Sequence, residues 1–121
     1  MLVVEGQVET AVSLAMLLRQ WGHEVRVAFD GHAAVRAVRE RLPDVVLLDL
    51  GLPGEIDGDA VARRAGEQPG EKKPLLVAMS GRPQDADRTA SAATGIDLHL
   101  VKPVDLAQLQ RLLSRFRAII L

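Results

Sequence analysis

The sequence predicts an α/β fold in which a parallel sheet of five strands is covered by helices on both faces. Short apolar runs alternate with longer segments of helical periodicity, and Gly, Pro or Asp residues separate most of them. Two runs, 45–48 and 75–79, are continuously apolar, which is typical of strands buried on both faces. A chain of 121 residues fits one domain with a sizeable core and is too short for two.

The first half of the chain contains three predicted strands and two predicted helices. The helix after the first strand has apolar side chains at helical spacing, and Gly22 is suited to end it in a left-handed conformation. Pro43 ends the second helix, directly before the central strand. In chain order, these elements are predicted over Leu2–Val4, Val8–Gln20, Val25–Ala28, Ala33–Arg41 and Asp44–Leu48. The apolar positions of the first helix are Val8, Ala11, Val12, Ala15 and Leu18.

The second half contains two further strands and three helices. Asp57 is predicted to cap the third helix, and Asp105 the last one, with Gln108 completing a capping box. In chain order, these elements are predicted over Asp59–Glu67, Pro74–Met79, Pro83–Thr94, Asp97–Val101 and Leu106–Phe116. Right-handed crossovers join such units, and they give a doubly wound, flavodoxin-like sheet with strand order 2-1-3-4-5.

Composition excludes several classes of function. The 15 basic and 16 acidic residues nearly cancel, which argues against a general nucleic-acid binder. The absence of cysteine removes disulfides and thiolate metal sites and is consistent with a reducing, cytoplasmic location. No apolar run is long enough for a membrane span, so no membrane contact is expected. We expect residues 1–121 to be a single domain excised from a longer chain, because both ends are apolar.

Polar side chains follow four of the predicted strands at the point where each strand ends. They are Glu5, Asp49, Ser80 and Lys102. The carboxyl ends of parallel strands meet at one edge of a sheet, so we expect these side chains to lie close together. Clustered carboxylates suit Mg²⁺, a hydroxyl and an ammonium suit a phosphoryl group, and an aspartate in such a setting can be a phosphate-accepting nucleophile.

The chain resembles a receiver domain of two-component signalling over essentially its whole length. The resemblance is carried by 2–5, by Asp49-Leu50-Gly51-Leu52-Pro53, by Ser80-Gly81 and by Lys102-Pro103, in this order at strand ends. The segments 51–54 and 97–105 are most similar to receivers of hybrid sensor histidine kinases, so the parent chain could be such a kinase.

The resemblance implies a phosphorylation switch. Asp49 would accept a phosphoryl group from a phosphohistidine of a sensor histidine kinase or a histidine phosphotransfer domain. Mg²⁺ would be held by Glu5, Asp49 and the carbonyl of Gly51. Ser80 would bond a phosphoryl oxygen and Lys102, whose bond to Pro103 is cis in the family, would pair with the phosphate. The resemblance also implies Ser80 and His99 as switch residues, and a homodimer could form through the fourth helix, fifth strand and fifth helix.

Two departures from the family pattern concern the metal. The family opens with two adjacent acidic residues, whereas here Gly6 follows Glu5, so we predict weak Mg²⁺ binding. The loop 53–58 is one residue longer than usual, and Glu55 is a candidate replacement for the missing acid. Two alternatives follow. The chain could be a pseudo-receiver that acts without phosphorylation, or an enzyme on the same sheet, although no phosphate-binding glycine motif follows the first strand.

Overall fold

The computed structural model describes residues 1–70, 72–81 and 95–120, with side chains up to Phe116. The described residues form five strands and four helices. The strands are β1 (Leu2–Val4), β2 (Arg26–Ala28), β3 (Val45–Asp49), β4 (Leu75–Ser80) and β5 (Leu98–Val101). The helices are α1 (Val8–Gln20), α2 (Gly31–Glu40), α3 (Gly58–Gly66) and α4 (Leu106–Ile120). The helix predicted over Pro83–Thr94 lies outside the described residues.

All five strands pair in parallel in one sheet of order β2-β1-β3-β4-β5, which confirms the predicted topology. The register places Val4 opposite Leu48, and Asp49 opposite Met79. Ser80 lies opposite Val101 at the end of the next pair. The strands therefore finish nearly level, and the residues that follow them share one edge of the sheet.

Each central strand contributes to two separate apolar layers, because successive side chains of a strand point to opposite faces. On β3, Val46 and Leu48 pack on the side of α2 and α3, with Ala34 and Val61. Val45 and Leu47 pack on the side of α1 and α4, in the same layer as Leu18, Leu109 and Leu113. Burial on both faces explains why this strand reads as an unbroken apolar run.

The first helix buries only part of its apolar sequence. Ala11, Ala15 and Leu18 are buried at i, i+4 and i+7, whereas Val8 and Val12 are 56% and 43% exposed. The five apolar positions named from the sequence therefore divide between a buried stripe and two exposed valines. A helix presents one stripe to a sheet, and the neighbouring stripe Val8-Val12-Met16 falls about a quarter-turn away.

Short polar side chains fix the starts of the other helices. The Asp57 carboxylate accepts a hydrogen bond from Ala60 N at 2.9 Å, and the Asp105 carboxylate accepts one from Gln108 N at 3.1 Å, as predicted. Asp30 caps α2 in the same way, with Ala33 N at 2.7 Å, so this helix begins at Gly31 and not at Ala33. Among the described residues, no helix has the length and apolar character needed to cross a membrane.

Candidate functional site

Asp49 is the last residue of β3, and its carboxylate is held at the edge of the sheet. Its side chain is 13% exposed. Oδ1 accepts a hydrogen bond from Gly51 N at 2.9 Å, which closes a tight turn directly after the strand. The next helix packs closely against this turn, since a Cβ added to Gly58 would lie 2.8 Å from the carbonyl oxygen of Asp49. The backbone around Asp49 is therefore fixed on both sides.

Glu5 follows β1 and is buried, with 1% of its surface exposed. Its backbone N–H continues the sheet by donating to the carbonyl of Ala28 at 3.0 Å. Its carboxylate receives Lys102 Nζ at 3.1 Å from Oε1 and 3.3 Å from Oε2. A carboxylate this deeply buried needs such a partner, because an unpaired buried charge is costly.

Lys102 follows β5 and connects the two carboxylates. Besides its contacts with Glu5, its Nζ lies 3.4 Å from Oδ1 of Asp49. Its backbone N–H donates to the carbonyl of Ser80 at 2.7 Å, so the ends of β4 and β5 are tied together here. The peptide bond from Lys102 to Pro103 is cis, as the resemblance implied.

The pKa values of the two carboxyl groups are shifted in opposite directions. Burial raises the pKa of Glu5 to about 7, and a hydrogen bond with Asp49 adds to this, against the effect of Lys102. Burial alone would also raise the pKa of Asp49. However, the hydrogen bonds that Asp49 receives from Glu5 and Gly51, together with the charge of Lys102, hold its pKa below its usual range. Near neutral pH, Asp49 is therefore the ionised member of the pair.

The residues around the site fit Mg²⁺, with one acidic ligand fewer than the family pattern provides. No group of three or more acidic or histidine side chains in the described residues could hold a metal ion, so Glu55 does not complete a cluster. Two carboxylates and a backbone carbonyl still match the ordinary use of Mg²⁺, which keeps several waters. Beside the site, a Cβ on Gly6 would lie 3.0 Å from Cδ of Pro53, so a side chain here would require a small shift.

The remaining predicted residues lie on the neighbouring strands. Ser80 is buried at the end of β4, one position beyond the residue that pairs with Asp49. His99 is half-buried in β5 and pairs with Ala78 of β4, three positions before Lys102. The structure thus brings Glu5, Asp49 and Lys102 into direct contact, places Ser80 on the adjacent strand end and sets His99 further back along β5.

An apolar surface adjoins the acidic residues. A cavity of about 320 Å³ lies between α1 and the start of α4, and both Glu5 and Lys102 line it. Its other walls include Leu14, Leu17 and Leu106, and Leu106 is 47% exposed. The exposed stripe of α1, formed by Val8, Val12 and Met16, lies on the same helix. The cavity walls Leu14 and Leu17 belong to a different side of α1 from this stripe. We call the exposed stripe of Val8, Val12 and Met16 the α1 surface.

Comparison with known families identifies the chain. Residues 1–114 match the model of the response regulator receiver domain. The chain belongs to this family. The match covers all five strands of the sheet and the three contacting side chains Glu5, Asp49 and Lys102. It confirms the resemblance found in the sequence.

The curated relatives of this receiver domain include transcriptional regulatory proteins. It is 32% identical over 120 residues to the transcriptional regulatory protein AfsQ1 of Streptomyces coelicolor, covering 99% of this chain and 50% of the relative. It is 39% identical over 110 residues to the transcriptional regulatory protein PrrA of Mycobacterium tuberculosis, covering 89% and 45%. The chain thus spans about half the length of the curated relatives it matches.

Solved structures give the same result. A CheY-like receiver domain from Methylobacillus flagellatus superposes with a TM-score of 0.82 at 31% identity, covering 95% of both chains. The receiver domain of a sensor histidine kinase from Pseudomonas aeruginosa also superposes with a TM-score of 0.82. It is 30% identical, with 95% of this chain and 93% of that chain covered, and holds a magnesium ion in its active-site cleft.

Two features of the site were missed in the sequence. The first is the ion pair between Glu5 and Lys102, because we assigned Lys102 only to Asp49 and the phosphate. The buried position of Glu5 after an apolar strand was the available signal, since a buried acid needs a cation. The second is the α1 surface, which the unused apolar positions of the first helix could have indicated.

Proposed function

We propose that this chain is a phosphoacceptor domain that takes a phosphoryl group onto Asp49 in a Mg²⁺-dependent reaction and passes the signal on by a change of conformation. The observation that carries the proposal is the position of Asp49, an ionised carboxylate 3.4 Å from the Lys102 ammonium at the carboxyl edge of the sheet. Family membership and the paired acid Glu5 support the same reaction.

The transfer step uses groups already in place. A carboxylate oxygen of Asp49 attacks the phosphorus of a phosphohistidine whose other ring nitrogen carries a proton; a P–O bond forms, the P–N bond breaks with its electron pair going to nitrogen, and neutral imidazole leaves. Lys102 neutralises part of the negative charge of the phosphoryl oxygens, and the Ser80 hydroxyl donates to one of them. Movement of Ser80 and of His99 on the neighbouring strands would then carry the change away from the site.

Mg²⁺ would be held by Glu5, Asp49 and the carbonyl of Gly51. When bound, the ion supplies positive charge that offsets the charge of the phosphoryl group. Glu5 must be ionised to serve as a ligand, and burial opposes this by raising its pKa to about 7. Together with Gly6, which offers no ligand, this supports weak Mg²⁺ binding.

The α1 surface suits the partner that brings the phosphoryl group. It consists of the exposed side chains of Val8, Val12 and Met16, on the helix that begins three residues after Glu5. An apolar patch beside a reacting group is typical of a protein-binding surface. A sensor histidine kinase or a histidine phosphotransfer domain would therefore contact α1 while its phosphohistidine approaches Asp49.

The proposal is tested with acetyl phosphate and Mg²⁺, followed by intact mass. We expect the wild-type protein to gain one phosphoryl group. Asp49→Ala should gain none, and Asp44→Ala, which removes an exposed carboxylate before β3, should behave like the wild type. An unchanged mass at every Mg²⁺ concentration, or equal labelling of Asp49→Ala, would contradict the proposal.

A pseudo-receiver that acts without phosphorylation is the second candidate. The observation that favours it is the Glu5–Lys102 ion pair beside Gly6, because this pair already satisfies the lysine without a phosphate or a metal. This reading predicts that Gly6→Asp creates Mg²⁺ affinity which the wild type lacks. Gly6→Ala is the matched control, since it brings the same contact with Pro53 without a carboxylate. Mg²⁺ binding by the wild type at millimolar concentrations would exclude this reading.

Several statements about the parent protein and its assembly remain predictions. They are that residues 1–121 form a single domain, that it works in the cytoplasm and that the parent chain is a hybrid histidine kinase. A homodimer is also a prediction, and Leu98 and Val101 of β5 support it because both side chains are exposed on an outer strand of the sheet. Analytical ultracentrifugation with and without acetyl phosphate tests the dimer directly.

A further inference from the structure

A groove between α2 and α3 gathers positive charge far from Asp49. It has a volume of about 380 Å³ and is lined by Arg39, Ala60, Arg63, Arg64, Glu67 and Gln68. Arg39 is in the last turn of α2, and Arg63 and Arg64 are in the last turn of α3. Both helices run opposite to the strands, so these three arginines lie toward the amino edge of the sheet, whereas Ala60, in the first turn of α3, lines the end of the groove nearer Asp49.

Among the described residues that line this groove, positive charges outnumber negative ones. Arg39, Arg63 and Arg64 line it, and Glu67 is the one acidic residue among the described residues of the lining. In the parts of the chain that the structure describes, none of these guanidinium groups forms an ion pair or a side-chain hydrogen bond. Elsewhere arginines are engaged: Arg26 donates to the carbonyl of Ala37, and Arg19 to that of Val25. The helix dipole favours an arginine in the last turn of a helix. It does not explain why arginines from two different helices line the same groove.

From this groove, we infer that the receiver domain binds a compact phosphate polyanion of the pyrophosphate or polyphosphate type between α2 and α3. Guanidinium groups present a planar fork of donors that matches phosphate oxygens, and three of them can surround one anion. The described residues of the lining include no aromatic side chain and one apolar residue, Ala60, so they offer a ring nothing to stack against. Recognition therefore depends on charge and selects the phosphates themselves.

The groove is independent of phosphorylation at Asp49. Pyrophosphate without Mg²⁺ is repelled from the Asp49 edge, where Glu5 and Asp49 already surround the single ammonium of Lys102. The two positions can therefore be distinguished by location as well as by affinity. Failure of acetyl phosphate labelling would leave the groove unaffected, and loss of anion binding would leave labelling unaffected.

The experiment is a titration of ¹⁵N-labelled protein with sodium pyrophosphate in EDTA, followed by amide chemical shifts. We expect saturable shifts at Ala60 and Gln68, with little change at Gly51 and Lys102. Arg39→Gln/Arg63→Gln should weaken binding at least about tenfold, because each charge-assisted contact with phosphate is strong. Arg111→Gln/Arg115→Gln removes the same charge from exposed positions of α4 and should change affinity less than about twofold.

Three results would overturn the inference. Shifts that stay linear with concentration would show non-specific attraction only. Shifts centred on Gly51 and Lys102 would place the anion at the phosphorylation site. Tighter binding of a glutamate-rich peptide than of tripolyphosphate would assign the groove to an acidic protein segment. Because all the substituted arginines are exposed, the variants should remain folded, which thermal unfolding checks.

Discussion

The Lys102 ammonium and the Glu5 carboxylate, 97 residues apart in sequence, form an ion pair in which Nζ lies 3.1 Å from Oε1 and 3.3 Å from Oε2. The same Nζ lies 3.4 Å from Oδ1 of Asp49. One cation therefore serves two carboxylates, and this shared contact joins the first and last strand ends of the site. Removal of the Lys102 ammonium should therefore affect both the stability of the fold and the reactivity of Asp49.

Lys102→Ala should destabilise the protein in a pH-dependent way. Without the ammonium, Glu5 can remain buried only by binding a proton. The loss of unfolding free energy near pH 5.5 should therefore be confined to the contact with Asp49, and it should be larger by about 2 kcal/mol near pH 8.5. Urea unfolding at both pH values measures it. Lys72→Ala, at an exposed position, is the control. An equal loss at both pH values would show that Glu5 does not depend on Lys102.

The wild-type protein should lose stability as pH rises from about 5 to 8. The pKa of Glu5 is raised from 4.5 to about 7 on folding, so the folded protein binds this proton more tightly than the unfolded chain does. The stabilising contribution is complete below 4.5 and is lost as pH rises through about 7. Asp49 acts in the opposite direction, because its lowered pKa contributes stability at neutral pH that is lost as pH falls into the acidic range.

The measurement is the free energy of unfolding of wild type and Glu5→Gln across this pH range. The difference between them should change by about 2 kcal/mol, because one pKa unit corresponds to about 1.4 kcal/mol and the coupling with Asp49 reduces the full effect. Taking the difference cancels the other groups that titrate, including the Met1 amino group, whose pKa is lowered by burial. Glu9→Gln, in the exposed first turn of α1, should give no such change.

Much of this architecture was predictable because its signals are local. The alternation of apolar runs with helical segments fixed the topology, and the residue after each strand pointed to Glu5, Asp49 and Lys102. The need of Glu5 for a cation could have been inferred, but its pairing with Lys102 could not, because that depends on how two long side chains are oriented at the buried edge of the sheet. The exposed valines of α1 were missed for a related reason, since two apolar stripes compete for one sheet and periodicity does not say which is buried.

Gly58→Ala should destabilise the fold and slow labelling of Asp49. An added Cβ would lie 2.8 Å from the Asp49 carbonyl oxygen and 2.8 Å from Cα of Leu50, and neither backbone atom can move without displacing the turn. We expect a loss of about 2 kcal/mol. Gly66→Ala in the same helix meets open space and should be neutral or slightly stabilising. Equal effects of the two substitutions would show that α3 does not press against Asp49.

Val12→Glu should leave the fold intact and impair phosphoryl transfer from a protein donor. Val12 is 43% exposed on the α1 surface, whereas Ala15, three residues later on the same helix, is 1% exposed against the sheet. Glutamate at position 12 therefore costs less than about 0.5 kcal/mol, whereas Ala15→Glu should unfold the domain or cost several kcal/mol. Thermal unfolding of the two variants compares the buried and exposed stripes.

The same variant separates docking from chemistry. Acetyl phosphate is too small to contact α1, so Val12→Glu should be labelled by it at the wild-type rate. A phosphorylated histidine phosphotransfer domain that labels the wild type must cover apolar surface around Asp49, so its transfer to Val12→Glu should be at least about tenfold slower. Val101→Glu, which is equally exposed on β5, is the matched control and should accept from both donors. Loss of labelling by both donors in Val12→Glu would place the defect at Asp49 and remove α1 from the docking surface.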